Sequence, residues 1–286
     1  MMAGGAIDKV KELTRQLETG IQDLYASGRY GEYLNMLSKF HRYSYGNVML
    51  IFMQCPHASM VAGFQTWKKE FQRNVKKGEH GIRVLAPCPV RRKLDSDEEK
   101  EDTVIPYFKT VTVFDISQTE GKELPAQIVT ELAGDVDEYE SLFNRLVEYS
   151  SLPVTFEQLP KGYKGSFYRE EQRIALAPGM SQSQTIKTLV HEIAHSKLHN
   201  DGEKRDRSAK EVEAESVAYV VCHYLGIDTS EYTFGYIAGW SKSREIPELK
   251  ASLDVIRATA AGMIDAIAPP AEPPVTEKES QKIYTR

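Results

Sequence analysis

Apolar residues recur at helical spacing from the start of the chain. Ile7, Val10, Leu13, Leu17, Ile21 and Leu24 form one stripe over 6–27, and Gly28 follows as a stop. The same periodicity predicts a second helix over 30–40 and a short, strongly apolar one in NVMLIFMQ, 47–54. FQTWKKEFQRNVKKGEHGIRVLAPCPVRRKL then reads as a helix, a glycine turn and a strand from Ile82 to Leu85. VIPYFKTVTVFDISQT returns as a strand after a charge-dense stretch, 93–103, with no apolar side chain between Leu94 and Val104. Further on, the pattern predicts a helix over 137–149, a hairpin in GSFYREEQRIALAP, and two more helices, QTIKTLVHEIAHSKLH (184–199) and SAKEVEAESVAYVVCHYLG (208–226). The expected architecture is α+β in two domains, 1–119 and 136–267, joined by a linker over 120–135. The Pro/Glu/Lys-rich tail, 268–286, is expected to be disordered.

Composition narrows this picture. The 286 residues suffice for two ordinary domains, and 41% hydrophobic residues supply cores for both. Cys55, Cys88 and Cys222 are odd in number and far apart, which excludes a disulfide framework and a cysteine metal site. No stretch approaches ~18 consecutive apolar residues, so no membrane span or secretory leader is read, and a cytoplasmic protein is expected. The formal charge of −5 excludes polyanion binding by bulk charge and leaves local charge to decide.

Chemistry concentrates in the helix over 184–199. His191 and His195, four apart, share one helical face and suit two nitrogens on one Zn²⁺. Glu192 lies beside them, in position to take a proton from water; this is the HExxH arrangement of metallopeptidases, and it predicts a zincin-like fold with a small sheet. Hydrolysis then needs Zn²⁺ to polarise the scissile carbonyl and Glu192 to shuttle a proton to the leaving amine. Ser181 or Ser183 can cap the helix, and RIALA is the candidate edge strand for an extended peptide. The third ligand is sought on the next helix, where Glu211 and Glu215 share a face. Glu211 is the expected ligand and Glu215 the carboxylate that orients a ligating histidine, with the reverse assignment open. That both are ordinary surface glutamates is disfavoured, because Val212, Val217, Val220 and Val221 give the rest of the helix a buried look. Glu213, about 200° from Glu211, is expected in solvent. His199 is expected at the pocket rim or helix end, and His199, Asp201 and Asp206 remain alternative ligands. Tyr168, Tyr219 and Tyr236 are candidates to stabilise the oxyanion.

A second cluster lies upstream. Between Val61 and Leu94 nine basic residues, among them Lys68, Lys69, Arg73, Lys76, Lys77 and Arg83, oppose only Glu70 and Glu79. Phe64, Trp67 and Phe71 interleave them, with Tyr43 and Tyr45 upstream. Cations plus aromatic platforms suit a single nucleic-acid strand. Trp67 and Phe71, four apart, fit core anchors beneath a solvated helix face equally well.

The stretch YSYGNVMLIFMQCPHASMVAGFQTWKKEFQRNVKKGEHGIRVLAP resembles the single-stranded-DNA-binding domain of ArdC-type antirestriction proteins. TLVHEIAHSKLH with EVEAESVAYVVCHYLGIDTSEYTFGYIAGWS resembles their zinc-peptidase-like domain, itself akin to ImmA/IrrE metallopeptidases. The resemblance spans roughly 6–265. It implies a protein of mobile elements that shields incoming DNA from restriction. It also implies metal ligands at His191, His195 and an acid within 211–215, with Glu192 as base, and DNA contacts over Tyr45–Arg83. The acidic run 95–102 matches no part of the pattern. Three functions follow as expectations: a DNA-directed metallopeptidase acting on an unidentified protein, a DNA-coating factor with a non-catalytic zinc site, or an ImmA-like protease that cleaves a repressor.

Overall fold

The computed structural model describes residues 3–91, 104–124, 136–200 and 206–267. The acidic run 95–102, most of the expected linker and the tail 268–286 lie outside these residues, as does Asp201. In chain order the first half holds α1 (Ala3–Ala26), α2 (Tyr30–Lys39), α3 (Tyr45–Gln54), β1 (Val61–Gly63), α4 (Phe64–Lys69), β2 (Arg73–Val75), β3 (Ile82–Arg91), β4 (Val104–Asp115) and β5 (Thr119–Gly121). The second half holds α5 (Val136–Ser150), β6 (Val154–Phe156), β7 (Gly165–Tyr168), β8 (Arg173–Leu176), α6 (Gln182–Leu198), α7 (Arg207–Tyr224), α8 (Ile237–Ser241) and α9 (Ile246–Ile267). Among the described residues, 3–20 and 49–124 make one compact unit, and 21–48 with 136–267 make a second.

The first unit is built on an antiparallel sheet in the order β1-β4-β3. Alternation along its strands separates two faces. Ile82, Val84, Ala86 and Val113 are buried on one, whereas Arg83, Phe108 and Thr112 are exposed on the other. Asp115, buried at the end of β4, ties the unit together. Its carboxylate accepts from the backbone N–H groups of Ser59 (2.8 Å), Met60 (3.1 Å) and Ser117 (2.9 Å). Gln118 completes a capping box by accepting from the Asp115 N–H at 2.9 Å. Burial works against ionisation of Asp115, but the hydrogen bonds from Ser117, Ser59 and Met60 outweigh it and hold the carboxyl below its usual range.

Two expected boundaries differ from the structure. By compactness, residues 21–48 group with the second unit: α2 buries Tyr30, Tyr33, Leu34 and Leu37 there. The Tyr30 hydroxyl lies 3.0 Å from Ser216 Oγ of α7. The expected linker also begins as a strand, because β5 pairs antiparallel with β2 and the Arg73 Nε donates to Thr119 Oγ1 at 2.8 Å.

The second unit packs α2, α5, α6, α7 and α9 with a small sheet in the order β6-β8-β7. The Ser181 side chain caps α6 by accepting from the Gln184 N–H. Gly226, at φ 71°, ends α7, and the Ile227 N–H turns back to the Cys222 carbonyl at 2.9 Å. RIAL, expected at an edge, is the central strand β8: parallel to β6 on one side and antiparallel to β7 on the other. Its Ile174, Ala175 and Leu176 are all buried. The edge strand packed against α6 is β7.

Candidate metal centre

α6 presents His191 and His195 on one face with their Nε2 atoms 3.0 Å apart. α7 brings Glu211 to them, its Oε2 lying 3.7 Å from His191 Nε2 and 3.6 Å from His195 Nε2. These three donors are the one such His/Cys/Asp/Glu cluster among the described residues with ligand atoms all within 4.8 Å of one another. The spacing fits a cation. Tetrahedral donors at ~2.0–2.1 Å from a common centre lie about 3.4 Å apart, between the shortest and longest of the three separations. The two imidazoles hold the Glu211 carboxyl well below the usual carboxylate range. Burial pushes His191 down, but Glu211 and the neighbouring Glu192 and Glu215 carboxylates raise it overall.

Glu192 is buried, and burial pushes its carboxyl up despite the opposing pull of His191, His195 and the Phe167 N–H of β7. The strand approaches so closely because residue 165 is glycine. A Cβ there would lie 2.5 Å from Thr188 Cγ2 and 2.9 Å from Glu192 Cγ and Oε1. A glycine inside a strand pattern is the signal for such an approach, and the sequence reading did not use it.

Behind the histidines runs a buried polar chain. His195 Nδ1 lies 3.1 Å from His199 Nδ1, and His199 Nε2 lies 3.0 Å from Glu213 Oε2. The Glu213 carboxylate can only accept, so His199 carries its proton on Nε2. His195 Nδ1 and His199 Nδ1 share one hydrogen bond, and the tautomer in which His195 donates it is the one that frees His195 Nε2 for a cation. Glu213, expected in solvent, is only 3% exposed. It does point away from Glu211, but α7 is packed by α2, α6 and α9, so that direction is interior. His199 is the buried C-cap of α6 and not a pocket rim. Glu215 does not orient a histidine; it accepts from the Tyr236 hydroxyl. Asp206 caps α7 through the Ser208 N–H at 3.2 Å.

Of the three tyrosines, Tyr236 alone has its hydroxyl on an α7 carboxylate, and burial and Glu215 both raise its pKa. The Tyr168 ring lies beneath the Arg173 guanidinium, 4.2 Å away. Tyr219 stacks on His223 and meets Tyr232 and Phe234 edge-on.

The expected DNA-binding residues divide. Lys68, Lys69, Lys76, Lys77 and Arg83 are exposed. Trp67 is corrected to a core residue: it is 0% exposed and its Nε1 donates to the Phe114 carbonyl at 2.8 Å, so no base can stack on it. The Arg73 guanidinium is committed to the Thr119 and Lys122 carbonyls at 3.0 and 2.6 Å. Tyr45 is half-buried and falls in the second unit.

Two regions match known families. Residues 147–239 match the IrrE N-terminal-like domain of the M78 peptidase family, so the unit with the His–His–Glu cluster is metallopeptidase-like. Residues 6–114 match the N-terminal domain of anti-restriction factor ArdC, so the chain resembles ArdC-type antirestriction proteins in carrying this domain ahead of a metallopeptidase-like one. It resembles the crystal structure of ArdC from plasmid R388 in an Mn(II)-bound form, with TM-score 0.60 and 18% identity over 88% of this chain and 98% of that one. It also resembles the metal-free form, with TM-score 0.54 and 21% identity over 78% and 84% of the two chains. An uncharacterized protein of Bacillus anthracis is 27% identical over 91% of this chain and 51% of its own length. The chain thus spans about half of that curated relative. No described helix is long and apolar enough to cross a membrane.

Proposed function

We propose that the chain binds single-stranded DNA through its first unit and carries a metal-dependent peptidase site, of zincin-like build, in its second. The juxtaposition of His191, His195 and Glu211 with a buried Glu192 carries this reading. A purely structural cation has no need of a carboxyl beside the ligands with a pKa raised by burial. The two imidazoles and Glu211 would hold a divalent cation; the donor set suits zinc, and the Mn(II)-bound ArdC relative supports manganese as well. When bound, the cation supplies Lewis-acid chemistry at neutral pH. Glu192, held by the Phe167 N–H, accepts the proton of the attacking water and returns it to the leaving amine. The Tyr236 hydroxyl, whose one proton is donated to Glu215, would turn from that carboxylate to donate to the developing oxyanion. An extended substrate segment fits along the β7 edge by strand addition. The family resemblance supports an antirestriction role for DNA entering on mobile elements.

The test uses purified full-length chain loaded with zinc or manganese. His191→Ala should lose the bound metal by elemental analysis. Glu192→Gln should keep it while new N-termini, scored in a bacterial lysate by mass spectrometry, disappear. Full metal content in His191→Ala would remove the site, and unchanged cleavage by Glu192→Gln would remove the mechanism. Metal binding with no cleavage by the wild type would leave a DNA-coating protein.

A further inference from the structure

We infer that single-stranded DNA lies across the open face of the β1-β4-β3 sheet, with Phe64 and Phe108 as its stacking platforms. The inference rests on the DNA-binding reading above and replaces its platform, since Trp67 is buried.

Strand register defines the face. Phe108, Thr110, Thr112 and Phe114 alternate with inward residues on β4, and their partners on β3 include Arg83 opposite Thr112 and Pro87 opposite Phe108. The reverse face buries Ile82, Val84, Ala86 and Val113 in the core, with Lys109 exposed beyond them. Phe64, at the start of α4, meets Phe114 edge-to-face with ring centroids 6.3 Å apart. Phe64 is 48% exposed and Phe108 45%, although burying such rings is favourable. Phe114 lies over Gly81, where a Cβ would come within 3.0 Å of the ring, so glycine lets this aromatic lie low on the sheet. Phe108 and Phe114 are six residues apart on one strand, about 20 Å at the usual rise. The rings therefore sit near opposite ends of a strip that carries the exposed Arg83 and Thr112 at one end and the half-buried Leu85 and Thr110 at its middle.

Charge selects the occupant. Arg83 is exposed on the face, and Lys68 follows Phe64 by one helical turn, on the same side of α4. None of the residues aligned on the face is acidic. A protein partner would be met by a continuous apolar centre, whereas two exposed rings held well apart, with the exposed Arg83 and Thr112 between them, match spaced bases on a phosphate chain. Stacking requires unpaired bases, so a duplex is disfavoured.

The experiment titrates full-length chain into fluorescently labelled oligo(dT) and follows anisotropy. Phe64→Ala and Phe108→Ala should each weaken binding roughly ten-fold, with unchanged circular dichroism. Phe156→Ala, an equally exposed ring in the second unit, should leave affinity unchanged. Phe108→Trp should keep affinity and give indole fluorescence that oligo(dT) quenches. Wild-type affinity in both alanine variants, with loss on Lys68→Glu, would overturn the stacking face and leave DNA binding intact. No oligo(dT) binding by the wild type would overturn the DNA reading itself. Dissociation of a self-associated chain on Phe64→Ala with Phe108→Ala, at unchanged DNA affinity, would give the face to a second copy and overturn the proposal.

Discussion

At the residue scale, Glu213 shows how a correct angle leads to a wrong environment. Helical geometry separates it from Glu211, but what lies in its direction depends on the neighbours of α7, which no local pattern encodes. Its carboxylate ends the hydrogen-bonded chain behind His195. Glu213→Ala leaves a buried His199 without its acceptor, so unfolding free energy should fall by about 1–3 kcal/mol. Metal affinity, read by competition with a chromogenic chelator, should fall about 10- to 100-fold because the orienting partner is lost. A variant that keeps wild-type affinity and stability would reduce the chain to coincidence. Asp115 makes the matching case in the first unit. Asp115→Asn turns one acceptor oxygen into a donor against backbone N–H groups, and should cost about 1–3 kcal/mol. The pH dependence has a definite sign. The folded-state pKa lies below the usual value near 3.8, so the ionised form's contribution is present above that value and lost as pH falls through the lower folded one. Urea titrations of both proteins from neutral pH downward should show the gap between them narrowing in that acid window.

At the element scale, the helices were legible because apolar stripes, caps and stops agree: Ser181, one of two serines offered as the cap, begins α6, and Gly226 ends α7. The HExxH pair was legible too, since a four-residue spacing on a helix leaves little freedom. Strand order was not, because alternation tells which face a residue takes and not which strand lies beside it. A continuous apolar run such as Ile174–Leu176 does mark a strand buried on both sides, and that signal pointed to the centre of the sheet. Trp67 was ambiguous for a related reason: Phe64, Trp67 and Phe71 recur at helical spacing, and spacing does not say which of them meets the core. β7 carries the element-level prediction. In Gly165→Ala the new methyl meets Thr188 and Glu192 on α6, so strand and helix must part by a few tenths of an ångström or more. Overpacking of this kind costs about 1–3 kcal/mol. Bound metal should persist, since none of the three ligands moves out of reach, while hydrolysis drops because Glu192 is displaced. Thermal denaturation, elemental analysis and peptide cleavage on the same preparation check the three parts together.

At the scale of the whole molecule, one basic cluster, Lys68, Lys69, Arg73, Lys76, Lys77 and Arg83, lies on the first unit, where phosphates would be met, while the buried carboxylates Glu192 and Glu213 lie near the histidines of the second. DNA binding should therefore depend on salt and not on the metal. Lys68, Lys69, Lys77 and Arg83 are exposed, and each phosphate neutralised on a single strand contributes about −0.7 to the slope of log K against log salt. Four such contacts give a slope of about −3. Lys76 is a weaker contributor because its Nζ already donates to the Ser117 carbonyl at 2.8 Å. Lys68→Ala with Lys69→Ala should bring the slope to about −1.5, without changing bound metal. In the other direction, Glu192→Gln should bind oligo(dT) with wild-type affinity and wild-type slope, because Glu192 lies in the unit that carries no part of the basic cluster. Anisotropy across a salt series, with and without chelator, measures both. A slope that flattens when metal is stripped would mean that the cation contributes to the nucleic-acid surface, and the division of labour between the two units would fall.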